Sequence, residues 1–342
     1  MNPRLHCALP ALLLFPGPCA RAQVKVELVP DQAEAVLAIL AQETGAADWP
    51  RLFHSEGYQR LAEREAAFKR PLAEDTFKAF VLGPDLRQAA PDLARTLATW
   101  RSADLTGCAR KALAYLPEGA RIEARVYPVI KPRSNSFVFK EHLIFLYLDP
   151  NRTQAQFENT VVHEFHHIGL GSLKPEPKAA AELERLPASA RAAADWLSAF
   201  GEGFAMLAAA GGPEVHPHAL SPAADQERWD RDLAQFDPDL KRVETFLLEV
   251  AEGRLTGEAI QDQGMAFFGV QGPWYTVGWR MASTIERQLG RPALLACMRD
   301  PRQLLPRYNQ AATMAGTAGA RWSERLMAEL GVTERVQPGL SR

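Results

Sequence analysis

The stretch running from Thr153 to Gly171, TQAQFENTVVHEFHHIGLG, decides how this chain is read, because it carries His163-Glu164-Phe165-His166-His167, an H-E-x-x-H motif, inside an amphipathic helical pattern. At 3.6 residues per turn His163 and His167 lie about 40° apart on the helix surface, so both imidazoles can bind one metal ion from consecutive turns. Glu164 falls about 60° from His167. It can face a water held by that ion without being a ligand, the position a general base needs. Phe157, Val161, Phe165 and Ile168 lie roughly 120 to 200° from His163 and form an apolar stripe for the core. Asp149-Pro150-Asn151, then Thr153 with Gln156 three residues on, marks the helix start as a capping box; Gly169 and Gly171 mark its end.

A catalytic zinc site takes three protein ligands and keeps one position open. The H-E-x-x-H-x-x-G-x-x-H pattern of metzincins is excluded, because Leu170 and Leu173 stand three and six residues after His167. The downstream acidic candidates are Glu176, Glu182, Glu184, Asp195, Glu202 and Glu214. Glu202 has the most telling neighbours, Gly201 and Gly203, in a helical run expected over residues 188–210. A glycine inside a helix costs about 1 kcal/mol relative to Ala, so this pair predicts a close approach by the backbone of a neighbouring active-site helix. The bland alternative is a helix crossover with Glu202 in solvent. Glu182 is the runner-up ligand, on what reads as a solvated helix face.

H-E-x-x-H followed some tens of residues later by a helical Glu resembles the gluzincin arrangement of thermolysin-like zinc metallopeptidases. The likeness is closer to bacterial families of zinc-dependent peptidases of unknown function, which pair an H-E-F-H-H helix with a later E-G-x-A; here these are residues 163–167 and 202–205. Ala114-Tyr115-Leu116-Pro117, Asn135-Ser136-Phe137-Val138, Leu148-Asp149-Pro150 and Val277-Gly278-Trp279-Arg280-Met281-Ala282 extend the likeness over most of the chain. The resemblance implies a mainly helical α+β fold of zincin-like, two-lobed architecture, with a small sheet preceding the H-E-x-x-H helix. It implies one zinc ion on His163, His167 and Glu202, with Glu164 as catalytic base. The chain departs from thermolysin in having Met206, not Asp, four residues after the ligand Glu. Asp195 or Asp230 could orient the ligand rings instead.

Upstream, residues 121–130, 136–140 and 142–148 are β-branched or aromatic runs that read as a small sheet. By the gluzincin resemblance, Phe137 to Leu148 would line a cleft in which an edge strand pairs with the extended substrate. Hydrolysis also gains from a donor to the developing oxyanion. Tyr275 is the candidate, just after Pro273 at a helix start; its alternative role is a half-buried anchor for that helix. His216 and His218, in a Pro-bounded loop, compete for the task. His166 reads as a flank of the metal pair, His142 as a strand residue, and His54 and His6 as ordinary.

Arg4, the apolar run from Cys7 to Phe15 and Ala20-Arg21-Ala22 predict a cleaved signal peptide over residues 1–22 and export to a periplasm or beyond. That run is too short to span a bilayer. Residues 23–118 read as an N-terminal helical region, and residues 119–342 as the zincin-like catalytic region. Cys108 and Cys297 are either bridged, as oxidising surroundings permit, or two buried thiols. With 47% hydrophobic and 23% charged residues and a net charge of −2, the chain has no basic field for nucleic acid. Segments 173–179 and 211–222 read as linkers, and residues after Val332 as a tail. The expected function is an exported zinc metallopeptidase acting on a peptide or protein. The alternatives are zinc-dependent hydrolysis of a non-peptide amide, or a catalytically silent binding protein of the same fold.

Overall fold

The three β-branched runs form strands, and a fourth strand joins them. In the computed structural model, which describes residues 23–42, 47–140 and 142–332, β1 (Val24–Leu28), β2 (Ile122–Val129), β3 (Phe137–Phe139) and β4 (Leu143–Tyr147) make one sheet in the order β1-β2-β4-β3. The β1–β2 and β2–β4 pairs are parallel and β3–β4 is antiparallel, so the sheet is mixed. β1 opens the region read from sequence as helical. Its VKVEL alternation is five residues long, and its partner β2 lies far downstream, joined by pairs from Val24↔Ile122 to Leu28↔Val126. The strand just before the metal-motif helix, β4, is interior. On that side of the sheet the edge strand is β3, only three residues long, with Val138 38% exposed.

Seventeen α-helices are formed by the described residues. Between β1 and β2 come α1 (Asp31–Leu40), α2 (Trp49–Phe53), α3 (Glu56–Ala67), α4 (Glu74–Val81), α5 (Pro84–Arg101) and α6 (Leu105–Leu113). After β4 come α7 (Gln154–Gly171), α8 (Pro177–Glu184), α9 (Ala188–Trp196), α10 (Gly201–Ala210), α11 (Ala223–Leu233) and α12 (Phe236–Ala251). The chain closes with α13 (Glu258–Ala266), α14 (Pro273–Leu289), α15 (Arg291–Arg299), α16 (Leu304–Met314) and α17 (Glu324–Glu329). None of them is long and apolar enough to cross a membrane. The protein is therefore mainly helical α+β, with a small mixed sheet.

Strand alternation gives the sheet two buried faces. Ile122, Ala124 and Val126 of β2 join an apolar core that runs from Ala33 to Val332, while Tyr127 and Val129 face a small cluster with Leu61 and Phe145. Cys108 and Cys297 are two separate buried thiols, not a bridge. The first supposed linker, 173–179, overlaps the first turn of α8, because Pro177 fits a helix N-terminus. The expected signal segment, His6 and the tail lie outside the described residues.

Candidate metal centre

α7 begins as its sequence dictates. Thr153 Oγ1 accepts from the Gln156 amide (3.3 Å), and the Gln156 side chain accepts from the Thr153 amide (2.9 Å), so two otherwise orphaned donors are satisfied. The apolar stripe is buried: Phe157, Val161 and Phe165 are 0% exposed, and Phe157 stacks on Trp100 at 4.3 Å. That fixes the helix roll and turns His163 and His167 away from the core. Gly171 ends the helix, but Gly169 serves packing, since a Cβ there would lie 2.3 Å from Leu116 Cδ1.

The expected single helix over 188–210 is three pieces: α9, a 3₁₀ turn at Leu197–Phe200, and α10. A tightened turn of this kind re-aims the next helix, and Glu202 stands in the first turn of α10. The glycine expectation is half met. A Cβ on Gly203 would lie 2.1 Å from Trp279 N and 2.2 Å from the Gly278 carbonyl carbon, so the close backbone is that of α14. A Cβ on Gly201 would meet only Leu170 Cδ2, at 3.6 Å. The Gly203–Gly278 crossing lets α10 and α14 approach closely and brings Glu202 beside Tyr275, one turn before Gly278 on α14.

His163 Nε2, His167 Nε2 and Glu202 Oε2 form a near-equilateral triangle with edges of 3.1, 3.1 and 3.2 Å. Among the described residues these three are the cluster able to offer a metal ion one ligand atom each. Hydrogen bonds alone do not satisfy the arrangement. With both rings donating to Glu202, two N–H groups confront each other at 3.1 Å; a cation among the three atoms removes the conflict. Zinc bonds of 2.0–2.1 Å at tetrahedral angles set ligand atoms about 3.3 Å apart, close to the edges found. Burial opposes ionisation of Glu202, but hydrogen bonds from His163 and His167 outweigh it and hold the carboxyl well below the usual range. The three side chains are 16%, 29% and 19% exposed. All three are therefore partly open to solvent.

Glu164 is half-buried one residue from His163. Tyr275 is half-buried and packs against the core beside Phe268, while its neighbour Trp274 is fully buried among Trp196, Phe200, Phe246 and Phe267, with Nε1–H donating to Gly264 O at 2.8 Å. Tyr275 also lies parallel to the His163 ring, centroids 6.4 Å apart at 12°. Burial, then the charge and hydrogen bonding of Glu202, then Glu164, push its phenol far above its ordinary value.

The other histidines are elsewhere. His166 is fully buried and donates from Nε2 to the Tyr115 carbonyl at 3.2 Å; burial and the neighbouring His167 push its pKa down to about 3, so it is a neutral tie between α7 and the chain after α6. His216 pairs with Asp230 at 3.1 Å, which occupies that carboxylate, and His218 bonds Ser221 at 2.9 Å beside Trp229. His142 is in the turn before β4, not on a strand, and His54 is exposed after α2. Asp195 faces a cavity beyond the C-terminal end of α7. Glu182, the runner-up ligand, pairs with Arg302 at 3.3 Å.

The family model described as "Putative zinc dependent peptidase (DUF5700)" matches residues 49–317. The chain belongs to this family. The match covers β2 to β4, α7, α10 and α14, the elements that carry or position the triangle and Tyr275. No curated protein and no solved structure matches the chain. The zinc of the family description agrees with the donor set of two imidazoles and a carboxylate. Gly278 escapes a reading of the sequence as a packing partner, because nothing in the run Val277–Ala282 shows which helix it meets; the walls of the cavity near Asp195 carry no sequence motif at all.

Proposed function

We propose that this chain is an exported zinc metallopeptidase of gluzincin type, with His163, His167 and Glu202 as ligands, Glu164 as general base and Tyr275 as oxyanion donor. The observation that carries the proposal is the triangle of His163, His167 and Glu202 atoms, with Glu164 on the same helix and Tyr275 against His163. In this zincin-like scheme the sheet and α7 form one side of the site, and α10 with α14 the other.

When bound, zinc supplies Lewis acidity toward the scissile carbonyl and lowers the pKa of a water to about 7. Glu164 takes the proton of the attacking water and delivers it to the leaving amine. Tyr275, un-ionised at neutral pH, donates its hydroxyl hydrogen to the oxygen on which charge develops. As ligands, His163 and His167 would each offer a ring-nitrogen lone pair, and the Glu202 carboxylate would offset one of the ion's two positive charges.

The test is Glu164→Gln, which keeps the shape and removes the base. Zinc content by elemental analysis should equal that of the wild type while peptide hydrolysis falls by orders of magnitude. Hydrolysis retained by the variant would remove Glu164 from the mechanism. Export is tested separately, by sequencing the N-terminus of protein recovered from outside the cytoplasm, expected at Gln23.

A further inference from the structure

The sheet has a second opening, on the face turned away from α7. Leu61 of α3 packs on that face with Tyr127, Val129 and Phe145, whereas Phe157 and Val161 of α7 share the core that takes Ile122, Ala124 and Val126. A cavity of about 260 Å³ lies there between α3, the chain that follows it and the β2–β3 loop. Its charged lining is Glu65, Arg70, Lys131 and Arg133, and Leu61 and Leu72 contribute apolar wall.

Lys131 is the unusual member. It is only 5% exposed, and a lysine is rarely buried unless a charged partner accompanies it. Its ammonium donates to two uncharged acceptors, the Arg133 carbonyl and Asn135 Oδ1, the latter at 2.7 Å. An ammonium has three N–H groups, and the third has no hydrogen-bond acceptor among the described residues. Glu65, the acid whose charge acts on Lys131, is itself held by Arg64 and Arg70. Burial first, and the guanidinium groups of Arg64, Arg133 and Arg70 after it, lower the Lys131 pKa to about 8 against the pull of Glu65. Four cations thus surround one carboxylate, an excess of three positive charges.

Arg70 adds a second unused donor. Its Nε stands 3.3 Å from Glu65 Oε2 without the geometry of a hydrogen bond, and that buried atom has no other partner. A buried N–H left unpaired costs about 1–3 kcal/mol. Arg133 is exposed and makes no ion pair among the described residues. A neutral ligand would leave the excess charge unbalanced and a cation would add to it. An anion would accept from the free donors through charge-assisted hydrogen bonds, the stronger kind.

We propose that this cavity binds a small oxyanion, the phosphate or carboxylate group of a compact molecule, held by Lys131, Arg70 and Arg133. Its volume lies just below the range of about 300–1,000 Å³ usual for ligand pockets, which limits the ligand to a few heavy atoms. The site is across the sheet from the metal triangle and does not depend on the peptidase proposal.

The test is calorimetric titration of the full chain, at constant ionic strength, with inorganic phosphate, with isobutyrate and with isobutyramide, which keeps the shape of isobutyrate without its charge. At least one anion should bind at a single site, the tighter of the two identifying the source of the oxyanion, and the amide should not bind. Lys131→Met and, separately, Arg133→Gln should each weaken binding by about 10-fold or more, with zinc content unchanged. Arg133 is exposed, so its replacement carries the test if Lys131→Met does not fold. In protein isotopically labelled at the lysine ε-carbon, Lys131 should titrate near its pKa of about 8 without ligand and at higher pH with the anion bound, because a neighbouring negative charge favours the ammonium. Affinity should accordingly fall as pH rises through that value. Failure of both anions to bind, equal binding of the amide, binding unchanged in a folded variant, or a Lys131 titration that the bound anion does not move overturns the assignment.

Discussion

Gly203→Ala is the sharpest perturbation available, because it adds one methyl group where two backbones meet. The new Cβ would lie 2.1 Å from Trp279 N and 2.2 Å from the Gly278 carbonyl carbon, against a comfortable separation of about 3.5 Å. Roughly 1.4 Å must therefore be found, and the obstructing atoms are main chain, so no rotamer change supplies it. α10 is held between α7 and α14; either it is driven into α7, disturbing edges of 3.1–3.2 Å, or α14 retreats and takes Tyr275 with it. Overpacking of this kind costs about 1–3 kcal/mol, and a backbone clash belongs at the upper end, so Tm should fall by roughly 5–10 °C. Zinc affinity, measured by competition with a chromophoric chelator, should drop, and any hydrolysis should fall about 100-fold for a displacement near 1 Å. Gly201→Ala, two residues away, is the control: its Cβ meets only Leu170 Cδ2, at 3.6 Å. Relief of the glycine entropy cost can stabilise it by up to about 1 kcal/mol. If Gly203→Ala melts with the wild type and binds zinc equally, or if both variants lose alike, the α10–α14 contact does not position Glu202.

Tyr275→Phe should leave zinc content and Tm near wild type and reduce kcat about 100- to 1,000-fold, the usual loss for an oxyanion donor; an unchanged kcat removes Tyr275 from that role. Trp274→Ala, by emptying the aromatic seat behind it, should cost about 3–5 kcal/mol in denaturant unfolding. Stripping the protein with a chelator should lower Tm, and zinc at 100 times its Kd should restore about 2.7 kcal/mol; His167→Ala should abolish the response. Burial pushes the Cys297 thiol from 9.0 up to about 12. Its neutral form thus contributes stability that is whole below pH 9 and is lost as pH rises toward 12, so Cys297→Ala should flatten the alkaline limb of a urea-midpoint profile.

Much of the architecture is readable from short-range pattern. Ser55 caps α3 by accepting from the Tyr58 amide and Ser323 caps α17 by accepting from the Leu326 amide, contacts that lie wholly within one turn of sequence. β1 is not legible in this way, because a five-residue alternation has no meaning until β2, far along the chain, offers it a partner. The 3₁₀ turn before α10 is hidden because Leu197–Phe200 is as apolar and helix-compatible as its flanks. Its shape comes from where Phe200 and Gly203 must pass Gly278.

The H-E-x-x-H helix was determined by the sequence alone, since a 3.6-residue repeat, an apolar stripe and a Thr153/Gln156 box are all interactions within one or two turns. That periodicity puts two imidazoles on one face whatever surrounds them. Which carboxylate completes the set was decided only by tertiary contact. Glu182 and Glu202 were both open choices, and packing sends one to Arg302 and the other to the imidazoles. The two glycines around Glu202 look equivalent in sequence but differ in space, one meeting a backbone and the other a leucine side chain. Local hydrogen bonding determines helices, but which faces meet depends on burying the whole core at once, and no short segment contains that information.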